Sequence, residues 1–437
     1  MAEVAHQLAA FAAAPLRNHA AAEQVLHMAT ADWLSVAIRG TSDPVSAATR
    51  AFLNSEDAQT GPTGLGFGAM RTAQSAAFLN GTTGHALDYD DTHFAHIGHP
   101  STVILPAVFA LAEAEGASPS QTYDACLIGL EASIRLGVWL GRGHYQVGFH
   151  QTATAGAFGA ALGAGRVLGF GKPQLAQTLY VVASQAAGLK SQFGTAMKPL
   201  HAGLAARAGV EAALMVRAGL TGRPDALEGP QGFGATHHGA DDLAALDGLG
   251  DTWLFEHVSP KFHACCHGIH AALEALQTLK PDPSEMAVLT VRSHPRWMTV
   301  CNQSEPDTGL GAKFSYSTAM ALALLGEDTG ALETWTDAQA TRADVVALRK
   351  KIQVEAESSV TETKAVLRVL DQEGRMKDAE HDLTQTSRLE TRRERVLRKS
   401  TALLGAQVAL DLQKLCASPE SIADLISFAQ SLSAKMH

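Results

Sequence analysis

Runs of positive charge are missing from this chain. Its 34 Lys and Arg are outnumbered by 44 Asp and Glu, for a formal charge of −10 over 437 residues. No basic patch is interleaved with aromatics, so the electrostatic footprint of a nucleic-acid binder is absent. Long apolar stretches are missing too. Those present, such as Ser133 to Leu140, are broken by Arg or Gly well short of the roughly 20 residues that span a bilayer, which excludes a membrane partner. Cysteine is sparse: Cys126, Cys265, Cys266, Cys301 and Cys416 are odd in number and scattered. With no basic leader at Met1-Ala2-Glu3-Val4, this predicts reduced thiols and a cytoplasmic protein. No Walker loop, dinucleotide fingerprint after a strand, GxSxG elbow or internal repeat occurs, which removes the common nucleotide and serine-hydrolase chemistries.

What is present reads as a folded enzyme. Hydrophobic residues make up 46%, charged residues 18%, and 39 glycines accompany many alanines, a composition suited to closely approaching helices. The length predicts two domains. From about residue 3 to residue 256 nearly every segment reads as helix, including Val103 to Glu115 and Ala155 to Leu168. Ser118-Pro119-Ser120-Gln121 starts another helix with a cap, a proline at the first turn and a returning Gln, and Gly141 is its expected end. Beyond His257 the texture changes. Met286 to Ser293 and Lys351 to Glu355 alternate like strands, and Ala365 to Leu370 followed by Asp371-Gln372-Glu373-Gly374 reads as a strand entering a hairpin. The charged stretch Arg388 to Lys399 leads into helical sequence expected to return to the first domain, and a merely solvated helix face is compatible with that. The fold class predicted is therefore mainly α: a large helical domain of residues 1–256 and 396–437, and a smaller α+β domain of residues 257–395.

Ionisable groups concentrate between His85 and Pro100, where 16 residues hold three carboxylates and four imidazoles. Burying so many is costly unless they pair, ligate or do chemistry. His93, His96 and His99 form an HxxHxxH pattern open to three readings: metal ligands of a hydrolase, acid–base groups, or a polar loop. Gly98 and Pro100 disfavour a helical ligand face that includes His99. Three further groups stand out. His150 follows a Gly-rich turn and opens an Ala-rich helix, where its neutral form is favoured. Lys198, in Gly194 to Gly203, has small apolar neighbours and is placed to hold a carboxylate. Lys261 lies at the expected domain boundary, where ligand sites are common, and the adjacent Cys265-Cys266 lack the spacing of a zinc site. His plus Lys in Gly-rich loops fits cofactor-free acid–base chemistry on a carboxylate substrate. A non-catalytic helical scaffold is the alternative in which Lys198 and His99 are mutationally silent.

At these residues the chain resembles the MmgE/PrpD family, which includes 2-methylcitrate dehydratases, cis-aconitate decarboxylases and iminodisuccinate epimerases. HALDYDDTH with HPST, GFHQTATAG, FGTAMKPLHAG, SPKFHACCHGIH and KFSYSTAMALAL occur in family order. The resemblance implies a helical domain formed by both ends of the chain, a smaller α+β lid domain, a homodimer, and no metal or organic cofactor. Residue by residue, it assigns Asp88 and Thr92 to the family's DxDDT segment and His99 to its HP histidine. His150, Lys198 and Lys261 match its remaining histidine and lysines. Decarboxylase-like members carry a tyrosine near the position of Thr318, whereas the tyrosine here is Tyr316. The expected activity is a 2-methylcitrate dehydratase-like lyase acting on a small di- or tricarboxylate, with an iminodisuccinate epimerase-like or a cis-aconitate decarboxylase-like reaction as alternatives. His99 and His150 serve as base and acid, Lys198 stabilises developing charge, and Asp88 orients an imidazole. Thr92, His93, Lys261 and Tyr316 bind substrate.

Overall fold

Alanine and glycine allow helix backbones to touch, and the first unit of the chain is built on that property. In a computed structural model, which describes residues 3–436, the chain divides into two units, Met1–Pro260 with Leu404–His437, and Lys261–Leu403. The first unit carries α1 (Ala20–Gly40), α2 (Ala73–His85), α3 (Ser101–Glu115), α4 (Pro119–Val147), α5 (Gln151–Val167) and α6 (Met197–Arg217). Helices α2 and α6 cross at Gly81 and Gly203. A Cβ on Gly81 would sit 2.9 Å from Gly203 Cα, and one on Gly203 would sit 2.3 Å from the Phe78 carbonyl oxygen. Helices α4 and α5 cross likewise at Gly129 and Gly159, where a Cβ on Gly159 would lie 2.4 Å from the Gly129 carbonyl oxygen. Any larger side chain at these crossings forces the helices apart. They fix where the ends of α2, α5 and α6 point.

The Ser118 cap forms with its reciprocal Gln121 bond. Helical hydrogen bonding then runs past the expected stop to Val147, because Gly141 (φ 71°, ψ −177°) kinks the chain between two helical segments instead of ending it. Two further expectations for this region are corrected. A two-residue hairpin pairs Thr63–Gly64 with Gly68–Ala69, and residues 218–266 are mostly irregular, with only short helical turns. Gly219, Gly222, Pro224, Gly229, Pro230 and Gly232 account for the latter, since they punctuate the chain too closely for a helix to propagate. This irregular segment is held by a buried pair in α4. Arg135, 1% exposed, donates to Glu131 at 2.7 Å and to the carbonyls of Ala245, Asp247 and Thr252, while Glu131 accepts the backbone N–H groups of Leu254 and Phe255.

The second unit contains α7 (His267–Leu279), β1 (Met286–Ser293), α8 (Tyr316–Leu324), β2 (Ile352–Ala356), β3 (Lys364–Asp371), β4 (Met376–Asp382) and α9 (Leu389–Leu404). The sheet order is β2-β1-β3-β4, with β1 and β2 parallel and the other pairs antiparallel. The strands and hairpin stand where the alternation placed them. Helix α9 is more than a solvated face: Arg392 and Lys399 are buried, and Arg395 pairs with Glu274 at 2.5 Å, where Glu274 also meets His263 at 3.1 Å. Two last helices, α10 (Ala406–Ala417) and α11 (Ile422–Ser433), pack on α1 of the first unit, where Tyr123 donates to the Cys416 carbonyl at 2.7 Å. The chain is mainly α with a smaller α+β portion. No helix among the described residues is long and apolar enough to cross a membrane.

Candidate active site

The site of the first unit forms where helix ends meet. Helix α2 ends at His85, and the following loop reverses at Asp88, which takes the left-handed conformation (φ 49°). Thr92 exchanges backbone hydrogen bonds with Ser259 at 2.8 and 2.7 Å, and His93 closes a turn onto Gly98 at 2.9 Å, so the loop is pinned at both ends. It delivers His99 to the start of α3. The His99 amide donates to Thr152 Oγ1 at 3.1 Å, tying it to the first turn of α5, whose N-cap residue is His150. Lys198 and His201 lie one turn apart on α6, on the same face.

These elements bring one ammonium, two carboxylates and four imidazoles together. Lys198 Nζ lies 2.7 Å from Asp88 Oδ1, and the same oxygen lies 3.6 Å from His99 Nε2. On its other side His99 Nδ1 sits 3.2 Å from Asp90 Oδ2. His85 Nδ1 lies 2.8 and 3.0 Å from the two oxygens of Asp90. The ring of His85 is 4.5 Å from that of His99 and 6.0 Å from that of His150, and His150 Nδ1 is 3.2 Å from His201 Nδ1. Exposure grades across the cluster. The Asp88, Lys198 and His99 side chains are 42%, 16% and 11% exposed, whereas Asp90 is fully buried. A small anion therefore meets Lys198, Asp88 and His99 first.

Burial and charge set the protonation states. Burial alone would raise the Asp90 carboxyl, but the imidazoles of His85 and His99 outweigh it and hold Asp90 well below the usual carboxylate range, so it is ionised. His150 is pushed well below the usual imidazole range, first by burial and then by the nearby His85 and Lys198, so it is neutral. His201 is lowered for the same reasons, burial first and then His85. Next to Asp90 in sequence, Asp91 behaves in the opposite sense. It accepts the Ser101 hydroxyl at 2.5 Å and the Ser101 amide at 3.3 Å at the start of α3, yet burial pushes its carboxyl up to about 8, with the charges of Asp32 and Asp90 adding to the rise.

That raised value has a sign for stability. Between about pH 4 and pH 8 the unfolded chain gives up the Asp91 proton while the folded chain keeps it, so stability falls as pH rises through this window and levels off above it. Asp91→Asn removes the effect. In urea unfolding across this range, the stability of Asp91→Asn minus that of the wild type should grow by on the order of 1 kcal/mol per pH unit and then flatten. A difference that does not change with pH would show that Asp91 is ionised in the folded chain.

The expected site residues do not all gather here. Asp88, His99, His150 and Lys198 do. Asp88, expected to orient an imidazole, lies on the Nε2 side of His99 and on Lys198, and Asp90 lies on the Nδ1 side. His93, expected to bind substrate, is buried and both its ring nitrogens face the protein's own backbone. Its Nε2 donates to the Leu254 carbonyl at 2.9 Å and its Nδ1 accepts the His96 amide at 3.3 Å, and burial lowers it to about 4. His96 is fully buried against Gly98 and Gly137, and burial lowers it to about 3. The HxxHxxH histidines therefore do not converge on one ion. Tyr316 lies in the second unit, fully buried, where its hydroxyl donates to the Gly268 carbonyl at 2.5 Å and pairs with Ser293 at 2.9 Å, leaving it no donor for a substrate. Thr92 donates to the Ser259 carbonyl at 3.3 Å. Lys261, the first residue of the second unit, is buried. Three members of the cluster were not assigned roles from the sequence: His85, Asp90 and His201. The first two lie within the ionisable segment, and His201 stands three residues after Lys198, a helical spacing that marks a shared face.

His85, Asp88, Asp90 and His99 offer one donor atom each within 4.8 Å of one another, a set that suits a divalent cation. Lys198 already supplies the positive charge here, at 2.7 Å from Asp88. His85 also directs Nδ1 to Asp90 as a donor, so that nitrogen would have to lose its proton to bind a metal. The cluster as folded fits an ammonium better than a metal ion.

Residues 6–245 match the MmgE/PrpD N-terminal domain and residues 263–415 the MmgE/PrpD C-terminal domain. A cis-aconitate decarboxylase of Mus musculus is 29% identical over 302 residues, covering 64% of this chain and 60% of that protein. A cis-aconitate decarboxylase of Homo sapiens is 36% identical over 165 residues, 37% of this chain and 34% of that one. The Aspergillus terreus enzyme of the same name is 29% identical over 231 residues, 49% of this chain and 47% of that one. The chain thus spans about 60% or less of the length of these curated relatives. Two domain matches that between them cover nearly the whole chain, on a mainly helical fold with a small α+β unit, make it a member of the MmgE/PrpD family.

Proposed function

We propose that this chain is a cofactor-independent lyase that acts on a small di- or tricarboxylate through an electron pair generated next to a carboxylate. The observation that carries the reading is the grouping of Lys198, Asp88 and His99 at the open side of a buried imidazole–carboxylate cluster. In a protein of net charge −10, a polyanionic substrate needs such a local cation. Lys198 has three donors, and Asp88 engages one of them, so a substrate carboxylate can take another. His99 takes the proton from the carbon beside the Lys198-bound carboxylate. The electron pair then moves into that carboxylate, where the ammonium stabilises it. In a 2-methylcitrate dehydratase-like reaction hydroxide then leaves from the neighbouring carbon. The hydroxide leaves as water with the proton that His99 removed, and His150 and His201, whose Nδ1 atoms are 3.2 Å apart, are the groups proposed to hydrogen-bond the leaving oxygen.

The relatives favour a second reading, decarboxylation of cis-aconitate. There the carbon–carbon bond breaks, carbon dioxide leaves, and the electron pair left on carbon takes a proton from an imidazole. The same cation beside the same imidazoles serves both reactions.

The test is a screen of 2-methylcitrate, cis-aconitate and iminodisuccinate in deuterated water, read by NMR. A dehydratase yields an unsaturated acid. A decarboxylase yields a product one carboxylate shorter, with deuterium on carbon, and an epimerase places deuterium at an inverted carbon without forming an alkene. No product and no deuterium with any of the three would end the proton-transfer reading. Activity should also survive prolonged chelation, since Lys198 fills the cationic role. Inactivation by EDTA that one divalent ion reverses would contradict that expectation. A homodimer in the cytoplasm is proposed as the working form, and light scattering of the purified protein checks the first part.

A further inference from the structure

A carboxylate can only accept hydrogen bonds, and a neutral imidazole carries one N–H. Asp90 is ionised, fully buried and flanked by two imidazoles: His85 Nδ1 is hydrogen-bonded to it at 2.8 Å, and His99 Nδ1 lies in close contact at 3.2 Å. In the neutral form of either ring, the Nδ1 that faces this carboxylate is the nitrogen that would carry the hydrogen, and Nε2 the one left with a lone pair. For His99, the lone pair then lies on the side of Asp88 and Lys198, which is the more exposed side of the cluster. We propose that Asp90 is the positioning residue that fixes His99 as an Nε2 base, and that His85 acts through Asp90 by holding that carboxylate in place. This rests on the proposed role of His99 as the base.

Asp88 cannot take the part of Asp90. It faces Nε2, the nitrogen that must be free to receive the substrate proton, at 3.6 Å. A carboxylate there attracts the imidazolium once the proton has arrived, whereas one at Nδ1 selects the tautomer beforehand. The proton balance is simple. The substrate C–H proton goes to His99 Nε2, the electron pair of that bond stays with the substrate, and the Nδ1 hydrogen remains directed at Asp90 throughout. His85 completes the arrangement because its N–H faces both carboxylate oxygens, at 2.8 and 3.0 Å. Without that donor the carboxylate is free to rotate away from His99. The His85 Nε2 is buried and has no hydrogen-bond partner among the described residues, so the hydrogen bonds of His85 reach this cluster through Asp90.

The experiment uses the full chain and two independent readouts. The first is the tautomer of His99, read without substrate by long-range ¹⁵N–¹H correlation NMR and assigned with His99→Gln. The wild type should show the hydrogen on Nδ1, and Asp90→Asn should move it to Nε2 in most molecules. The second is kinetic, on whichever acid the screen identifies. Asp90→Asn should lower kcat on the order of 10²- to 10⁴-fold, with KM changed by less than about threefold, the pattern of a lost tautomer rather than lost binding. His85→Phe should lower kcat by roughly tenfold, and His85→Asn, whose amide nitrogen can replace Nδ1 as the donor to Asp90, should restore most of it. A wild-type His99 with its hydrogen on Nε2 overturns the proposal, and so does an unchanged tautomer in Asp90→Asn. Equal losses in His85→Phe and His85→Asn remove His85 from it. If Asp90→Asn does not fold, the wild-type tautomer and the His85 pair still decide. If no acid is turned over, the proposed activity fails while the tautomer measurement judges this inference separately.

Discussion

Lys198→Ala is expected to fold and to lose most activity. The lysine sits in the first turn of α6 with its ammonium on Asp88, in a partly exposed position where removing the side chain leaves no large cavity. Its proposed work is in the transition state, where charge develops on the substrate carboxylate it holds. Losing one such donor costs on the order of 2–4 kcal/mol of transition-state stabilisation, which is roughly a 30- to 1000-fold fall in kcat/KM. The loss should appear in kcat as well as in KM, because charge on the bound carboxylate increases as the proton leaves. Lys198→Arg separates charge from geometry: it keeps the cation, but a planar fork does not replace a point charge that also meets Asp88. An alanine variant with wild-type kcat/KM would take Lys198 out of the site and favour the scaffold reading.

The largest effect on stability is expected far from that ammonium, at Arg135. Its guanidinium is 1% exposed and reaches Glu131 and three backbone carbonyls of the irregular segment that follows Ala244. Arg135→Ala leaves the Glu131 carboxylate buried without its cation and three carbonyls without a donor. Breaking a buried pair in this way costs about 3–5 kcal/mol, well above the value of an exposed pair. The damage should also reach the active site. Glu131 holds the amide of Leu254, and the Leu254 carbonyl holds His93 at the base of the ionisable loop. Urea unfolding of Arg135→Ala should show the loss, and Arg135→Ala with Glu131→Gln should be less destabilised than the sum of the single changes. Unfolding at the wild-type urea concentration would mean that water or rearranged side chains satisfy this segment.

Much of the fold was legible because it follows from short-range rules. The capping box at Ser118 and Gln121, the alternation of Met286 to Ser293 and the hairpin after Asp371 depend on neighbouring residues, and they form where read. Gly141 shows the limit of such rules. A glycine both ends helices and permits kinks, and only packing on both sides selects the kink. The charged stretch of α9 shows a related limit. Charge predicts solvent, but Arg395 finds a buried-side partner in Glu274 and a face on the Phe262 ring, 3.8 Å away, through contacts more than a hundred residues distant in sequence.

By itself the sequence determined the helical and α+β texture, the segment between His85 and Pro100 as the place where ionisable groups gather, and Lys198 and His150 as candidates that the fold brings to the same cluster. Composition, capping and local spacing contain that information. Only the tertiary structure decided which of the four imidazoles and three carboxylates of that segment work together. Asp88, Asp90 and Asp91 are near neighbours in sequence, yet one pairs with an ammonium at the open side, one is ionised between two imidazoles, and one is held neutral at the start of a helix. His93 and His99 divide in the same way between framework and site. The reason is physical. A titratable group takes its state from burial and from the charges that face it, and here those are set by where α2, α3, α5 and α6 end, which glycine-to-glycine helix crossings fix across distances in sequence that no local pattern spans.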